Sequence, residues 1–247
     1  MVADFSDINA AILAGGLGTR LRAVVDDRPK ALAEVRGRPF LAYVLDKLAG
    51  DGIRRAVICT GFLGEQIAAV FGDSYAGINL VYSQEPLPLG TAGALRFALP
   101  LLTSENILVI NGDTLCTADL KFFWRWYCAR PVDIALMLIK APDTQRYGRV
   151  TVSAKGDVLG FCEKGEGRGP GWINAGAYLC ARRFIEAIPE AGRVSLEQEI
   201  FPSWIGRGLS GYAATGDFID IGTSESFLSA QSLLTNMVMT DNKDTDK

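Results

Sequence analysis

Histidine is absent from this chain of 247 residues. That absence removes Ser-His-Asp and Cys-His nucleophilic machinery and every imidazole-based metal site. An excess of either charge is also missing: 25 Lys and Arg face 28 Asp and Glu, a formal net charge of −3. This balance points to neither nucleic acid nor an anionic membrane surface as a partner. No apolar run approaches the length of a membrane span. The opening M-V-A-D-F-S-D-I lacks the basic and apolar regions of a signal peptide, so a cytoplasmic location is expected. No C-x-x-C pair occurs. The five cysteines, Cys59, Cys116, Cys128, Cys162 and Cys180, are dispersed and read as free thiols, several of them buried as small hydrophobes. Chemistry is left to carboxylates, cations, backbone dipoles and a hard metal ion.

A 49% hydrophobic composition supports a full core. The densest information lies in residues 10–30, A-A-I-L-A-G-G-L-G-T-R-L-R-A-V-V-D-D-R-P-K. An apolar run over 10–14, including Leu13, predicts a short buried strand. It ends in Gly15, Gly16 and Gly18, followed by Thr19 and Arg20. Glycines there let the backbone turn tightly and approach a ligand, and their N–H groups form an anion-binding concavity. Arg20 adds a fixed positive charge, and Pro29 stiffens the approach to Lys30. The pattern reads as a triphosphate cradle with two cations. No Gly-Lys-Ser/Thr closes it, so it is not a Walker loop, and G-G-x-G followed by Arg20 and Arg22 is a poor dinucleotide fingerprint.

Downstream, helical spacing over 39–48 and 64–71 alternates with short apolar runs at 54–60 and 78–83. This alternation predicts βαβ units, an α/β fold with a mainly parallel sheet covered on both faces, and ligands at the carboxyl ends of its strands. Residues 84–95, Q-E-P-L-P-L-G-T-A-G-A-L, form a rigid loop leading into a helix at 92–101, with Thr91 as the expected N-cap. Gln84 offers an amide suited to a nucleobase edge, and Leu89, Gly90 and Thr91 offer backbone contacts. The strand expected at 106–110 ends in Asn111-Gly112-Asp113, which places a carboxylate where Mg²⁺ would take one or two carboxylates together with phosphate oxygens. The aromatic run 118–128 reads as core or as an interface in a homo-oligomer. A second, smaller lobe is expected from about Ala141, where glycine-rich alternating segments begin. Within it, Glu163-Lys164 ends one strand, and Asn174 is a polar residue inside an apolar one, where a sugar hydroxyl is a natural partner. Ser195 with Gln198 predicts a capping box. Thr223 or Ser224 is the expected cap of a helix over 225–234, and residues 236–247 form a polar tail expected to be disordered at its end.

G-G-x-G-T-R-L followed by P-K resembles the signature of the sugar-1-phosphate nucleotidylyltransferases. The resemblance extends through P-L-G-T-A, N-G-D, R-Y-G-R-V, E-K, N-A-G-A-Y and F-I-D-I-G-T, covering about residues 8–234. It implies a Rossmann-like three-layer sandwich with a mostly parallel central sheet plus a small β-rich sugar-binding lobe. The nucleotide part would be about 8–140 and the sugar part about 141–222. It also implies nucleotidyl transfer from an NTP to a sugar 1-phosphate with release of pyrophosphate. Arg20, Lys30, Asp113 and Lys164 would be catalytic. Leu13, Gly15, Gly16, Gly18, Thr19, Gln84, Leu89, Gly90 and Thr91 would hold the nucleotide. Gly148, Glu163, Lys164 and Asn174 would hold the sugar phosphate, and Asp113 and Asp220 would bind Mg²⁺. Transfer of this kind needs no protein nucleophile, which suits a chain without histidine.

The segment L-R-A-V-V-D-D-R-P-K, with P-F-L-A-Y-V-L-D and S-L-E-Q-E-I-F-P, is most similar to guanylyltransferases of D-glycero-D-manno-heptose 1-phosphate. GTP is thus the expected nucleotide. Mannose-1-phosphate guanylyltransferase, uridylyl-, thymidylyl- or cytidylyltransferases and a non-catalytic regulatory subunit are the alternatives. Two departures stand out. Ala31 follows Lys30 where the family reads P-K-P, which implies a looser loop, and Arg149 is not expected after Tyr147-Gly148. Hexapeptide repeats are absent, so no β-helix acetyltransferase domain is expected.

Overall fold

The computed structural model describes residues 4–16, 27–162, 165–190 and 192–241. Strands β1 (Asn9–Leu13), β4 (Arg55–Thr60), β6 (Ile78–Gln84) and β7 (Asn106–Asn111) are parallel, in the order β7-β1-β4-β6. Between them lie the short strands β2 (Glu34–Val35), β3 (Arg38–Pro39) and β5 (Ser74–Tyr75). The apolar runs of β1, β4 and β7 are buried on both faces, as covered parallel sheets require, while β6 toward the edge is only partly covered. Alternation sorts them. Ala10 and Ile12 pack with Phe40, Leu41 and Leu45 of α1 (Phe40–Gly50), Ile67 of α2 (Gly64–Phe71) and Phe123 of α4 (Leu120–Cys128). Ala11, Val57 and Val109 pack on the other face with Ala92 and Leu95 of α3 (Gly90–Ala98) and Phe184 of α5 (Arg182–Glu186). The result is three layers: helices, sheet, helices.

One long strand, β12 (Gly171–Ala181), extends the sheet in two directions. Its second half pairs antiparallel with β7, and its first half meets β10 (Arg149–Val152), which in turn pairs with β11 (Val158–Cys162). Along its other side runs β9 (Ile134–Ala141), with a register break between Asn174 and Tyr178; β13 (Leu209–Ala213) pairs parallel with β9. With β5, which pairs antiparallel with β6, these make one ten-stranded sheet, while β2 and β3 pair with each other apart from it. A separate ribbon joins β8 (Thr114–Cys116) antiparallel to β14 (Phe218–Asp220).

Several capping expectations are corrected. Helix α3 begins at Gly90, and Thr91 sits inside its first turn rather than at its N-cap. The open N–H groups of Ala92 and Gly93 donate instead to Val194 O, at 3.0 and 3.4 Å, so a distant carbonyl caps the helix. Ser195 does cap the turn Leu196–Ile200, accepting from Gln198 N–H at 3.2 Å, but Glu199, not Gln198, accepts the Ser195 N–H, at 2.8 Å. The turn is wound as a π-helix, which moves the reciprocal partner one residue on. Thr223 Oγ1 accepts from Ser226 N–H at 3.3 Å at the start of α7 (Ser224–Asp241). One face of the aromatic run is core, with Phe123, Trp124 and Tyr127 buried and Phe123 stacked on Tyr212 with centroids 5.2 Å apart, while Phe122 on the other face is exposed. All five cysteines are free, with Cys59 and Cys180 buried. Burial pushes the Cys59 thiol up to about 12. Among the described residues no helix is long and apolar enough to cross a membrane.

Candidate active site

The carboxyl ends of β1, β4, β6 and β7 meet at one edge of the sheet. Ala14 N–H donates to Cys59 O at 2.9 Å, and Gly112 N–H donates to Leu13 O at 2.9 Å, so the turn after β1 is pinned on both sides. A side chain at Gly15 would lie 3.1 Å from Glu85 Oε1 and 3.2 Å from Gly61 N. Gly15 is therefore needed for close approach, while Gly16 faces open space. The rest of the expected phosphate turn, Gly18, Thr19 and Arg20, lies outside the described residues, as do Glu163 and Lys164.

The base-side loop has a structural duty as well. Gly90 has φ +75°, and a Cβ there would sit 2.4 Å from Val194 O. Leu89 N–H donates to Glu85 Oε2 at 3.1 Å, and Leu89 O accepts from Val194 N–H at 2.8 Å. Thr91 Oγ1 accepts from Leu196 N–H at 2.8 Å and donates to Glu197 Oε2 at 3.0 Å. Gln84 is exposed at the end of β6. Its neighbour Glu85 turns back over Gly15 and Gly61, and burial raises its carboxyl above the usual range.

Two acidic residues far apart in sequence are brought side by side. In the β8–β14 ribbon Asp220 pairs with Thr114, and Ile221 N–H donates to Asp113 O at 3.1 Å. Lys30 follows Pro29 into a 3₁₀ turn, Lys30–Leu32, in which Ala31 is buried. The turn is held by Leu32 N–H to Pro29 O and Ala33 N–H to Lys30 O, so the looser loop expected from Ala31 does not form. Lys30 Nζ donates to Asp113 Oδ2 at 2.5 Å, and the lysine is mostly buried. Asp220 Oδ1 accepts from Gly222 N–H at 2.6 Å, and its Oδ2 accepts from Arg146 at 3.0 Å. Among the described residues no group of three or more His, Cys, Asp or Glu could hold a metal alone. Two aspartates on neighbouring backbone, each now facing a cation, Lys30 or Arg146, and with no nitrogen or sulfur ligand beside them, are the hard donor type of a cation that takes its remaining ligands from phosphate and water.

Gly148 turns with φ +80° and donates its N–H to Thr144 O at 3.0 Å. Asn174 Nδ2 donates to Tyr178 OH at 2.9 Å, and its Oδ1 accepts from Gly176 N–H at 2.9 Å. Arg149 explains itself structurally: its Nη2 donates to the carbonyls of Arg168, Gly169 and Pro170, bracing the loop between β11 and β12.

Comparison with known proteins settles the family. The profile for nucleotidyl transferases matches residues 9–237. The chain belongs to the nucleotidyl transferase family. It is 35% identical to the D-glycero-alpha-D-manno-heptose 1-phosphate guanylyltransferase of Aneurinibacillus thermoaerophilus, over 94% of this chain and 100% of that protein. It is 34% identical to the mannose-1-phosphate guanylyltransferase of Mycobacterium tuberculosis, over 90% of this chain and 63% of that longer protein. Among solved structures, HddC from Yersinia pseudotuberculosis complexed with GMP-PN superposes with a TM-score of 0.81 at 31% identity, covering 92% of this chain and 99% of HddC.

This nucleotidyl transferase has two residues at its site that the sequence reading passed over. Glu85 was overshadowed by its amide neighbour Gln84. A signal existed: in Q-E-P-L-P-L-G-T-A-G it is the one charged residue. Arg146 was hidden by the expected R-Y-G motif, in which Gly148 drew attention. No sequence spacing links Arg146 to Asp220, since the pairing depends on the β8–β14 ribbon.

Proposed function

We propose that this chain transfers a guanylyl group from GTP to D-glycero-D-manno-heptose 1-phosphate and releases pyrophosphate. The observation that carries the reading is the Lys30, Asp113 and Asp220 assembly beside the Gly15-Gly16 turn. It suits phosphate chemistry driven by charge and positioning. The choice of heptose is supported by two relatives, from Aneurinibacillus thermoaerophilus and Campylobacter jejuni, 35% and 33% identical and covered over 100% and 97% of their lengths. Mannose 1-phosphate is the second reading, favoured by the Mycobacterium tuberculosis relative.

In this reading residues 8–140 hold the nucleotide and 141–222 the sugar. A sugar-phosphate oxygen attacks the α-phosphorus in line; the new P–O bond forms as the bond to the β-phosphate oxygen breaks, and pyrophosphate leaves. Leu13, Gly15, Gly16, Gly18, Thr19 and Arg20 hold the triphosphate. Glu85 accepts from the N1–H and N2 amino donors of guanine, a match that a carboxylate makes and an adenine edge does not; Gln84, Leu89, Gly90 and Thr91 flank the base. Mg²⁺, held by Asp113 and Asp220, supplies charge neutralisation on the phosphates when bound. Lys30 and Lys164 offset the charge of the two approaching anions, and Gly148, Glu163 and Asn174 orient the sugar. The test is pyrophosphate release over a grid of NTPs and sugar 1-phosphates with Mg²⁺. A maximum with GTP and the manno-heptose phosphate is expected. A maximum with mannose 1-phosphate would shift the sugar, and one with another NTP would overturn the base assignment.

A further inference from the structure

Between the loop that flanks the base and the strand that faces the sugar lies a chain of hydrogen bonds with a fixed direction. Glu197 is its acceptor terminus. Its Oε2 accepts from Thr91 Oγ1 at 3.0 Å and Ser195 Oγ at 3.2 Å, and its Oε1 accepts from Tyr178 OH at 3.4 Å. A carboxylate has no hydrogen to give, so the Tyr178 hydroxyl must donate toward it. Tyr178 is fully buried. Burial first, and Glu197 second, keep its phenol protonated far above neutral pH. With its hydrogen committed, the Tyr178 oxygen only accepts. It takes the Asn174 amide at 2.9 Å and the Asn111 amide at 3.5 Å. Both amides are thereby oriented. Asn174 Oδ1 is engaged by Gly176 N–H, which leaves the second Nδ2 hydrogen as its outward group. Asn111 turns the other way: its Oδ1 is buried and has no hydrogen-bond partner among the described residues. Gly176 makes this junction possible, since a Cβ there would lie 2.4 Å from Thr114 Oγ1 and 3.0 Å from Asn111 Nδ2.

We infer that Glu197 is a positioning residue that sets the hydrogen-bond polarity of the sugar site through Tyr178, so that Asn174 presents a donor to a hydroxyl of the sugar. The inference rests on the sugar 1-phosphate reading above and adds a residue that acts without touching the substrate. Glu197→Gln keeps the shape but allows an N–H to face Tyr178. The phenol hydrogen must then seek another acceptor, and the amide directions are no longer fixed.

The experiment measures KM for each substrate and kcat in Glu197→Gln, Tyr178→Phe and the double variant. The KM for the sugar 1-phosphate is expected to rise about tenfold in each single variant, the scale of one misdirected buried hydrogen bond. The double variant should be no worse than Tyr178→Phe, because both act through one hydroxyl. In Tyr178→Phe, which leaves the Glu197–Thr91 contact in place, the KM for GTP and kcat should stay within about threefold. Equal rises in both KM values, or additive effects in the double variant, would overturn the inference. So would an unchanged sugar KM.

A second measurement needs only the wild-type protein: inhibition by deoxy and deoxyfluoro analogues of the sugar 1-phosphate. Fluorine accepts weakly and cannot donate. One ring position should recover affinity when fluorine replaces hydrogen, matching the Asn174 donor. Absence of any such position would overturn the polarity. Absence of turnover with any sugar 1-phosphate would instead refute the reading beneath it.

Discussion

Gly90→Ala is expected to destabilise the protein by about 3 kcal/mol, and the structure supplies the parts of that figure. A left-handed backbone costs an alanine roughly 1 kcal/mol relative to glycine, and Gly90 has φ +75°. The added Cβ would also sit 2.4 Å from Val194 O and 2.9 Å from Val194 C, both backbone atoms that cannot rotate away. Val194 O accepts from Ala92 and Gly93 N–H, the cap of α3. Pushing it aside weakens two hydrogen bonds worth about 1 kcal/mol each. For a chain of this length 1 kcal/mol shifts the melting temperature by roughly 2–4 °C, so a fall of about 6–12 °C is expected by calorimetry. Gly37→Ala is the internal control. Gly37 has a nearly equal φ of +74°, but a Cβ there meets nothing within 4 Å. It should lose only the backbone share, about 2–4 °C. Equal losses in the two variants would refute the idea that segment 192–197 locks the base-side loop.

Lys30→Met should lower kcat/KM by about 10²–10³ with the fold retained by circular dichroism, as expected for loss of one preorganised charge; a change below tenfold would place the Lys30–Asp113 contact outside the chemistry. Asp113→Asn and Asp220→Asn should each weaken Mn²⁺ binding in the presence of GTP, read by electron paramagnetic resonance, and metal removal with EDTA should stop pyrophosphate release until Mg²⁺ is restored; unchanged Mn²⁺ binding in both variants would remove these residues from the metal site. Glu85→Gln should trade function for stability. Burial raises the Glu85 carboxyl from 4.5 in the folded state, so folding favours its protonated form. The penalty appears as pH rises above the unfolded value and is absent below it. The variant should therefore melt no lower than wild type at neutral pH, with the difference vanishing in acid, while its KM for GTP rises. A lower melting temperature at neutral pH would contradict the sign.

How much of this was legible beforehand depended on the range of the physics involved. Buried parallel strands carry their signature locally, in apolar runs of five or six residues, so the α/β layering followed from periodicity and from the alternation of strands and helices. The glycine turn after β1 and the aspartates at strand ends were equally local, and Lys30 and Asp220 were picked out by their motifs. The cap of α3 was misread, and at the turn Leu196–Ile200 Ser195 was the cap expected but its reciprocal partner was Glu199 rather than Gln198. The competing partner for α3 was a backbone carbonyl a hundred residues away, and backbone groups carry no sequence label. The Arg146–Asp220 and Glu197–Tyr178 contacts were invisible because each depends on how separate segments pack together.

The sequence alone thus determined the α/β layering, the absence of imidazole groups and the glycine-rich turn after β1. The tertiary structure decided which charges meet. Asp113 and Asp220 become neighbours only because β8 and β14 pair, and Glu197 reaches the sugar side only because β12 bends at Gly176 and brings Tyr178 beside it. Side-chain chemistry is written one residue at a time, whereas a hydrogen-bond direction or an ion pair depends on the relative placement of segments that only long-range packing fixes.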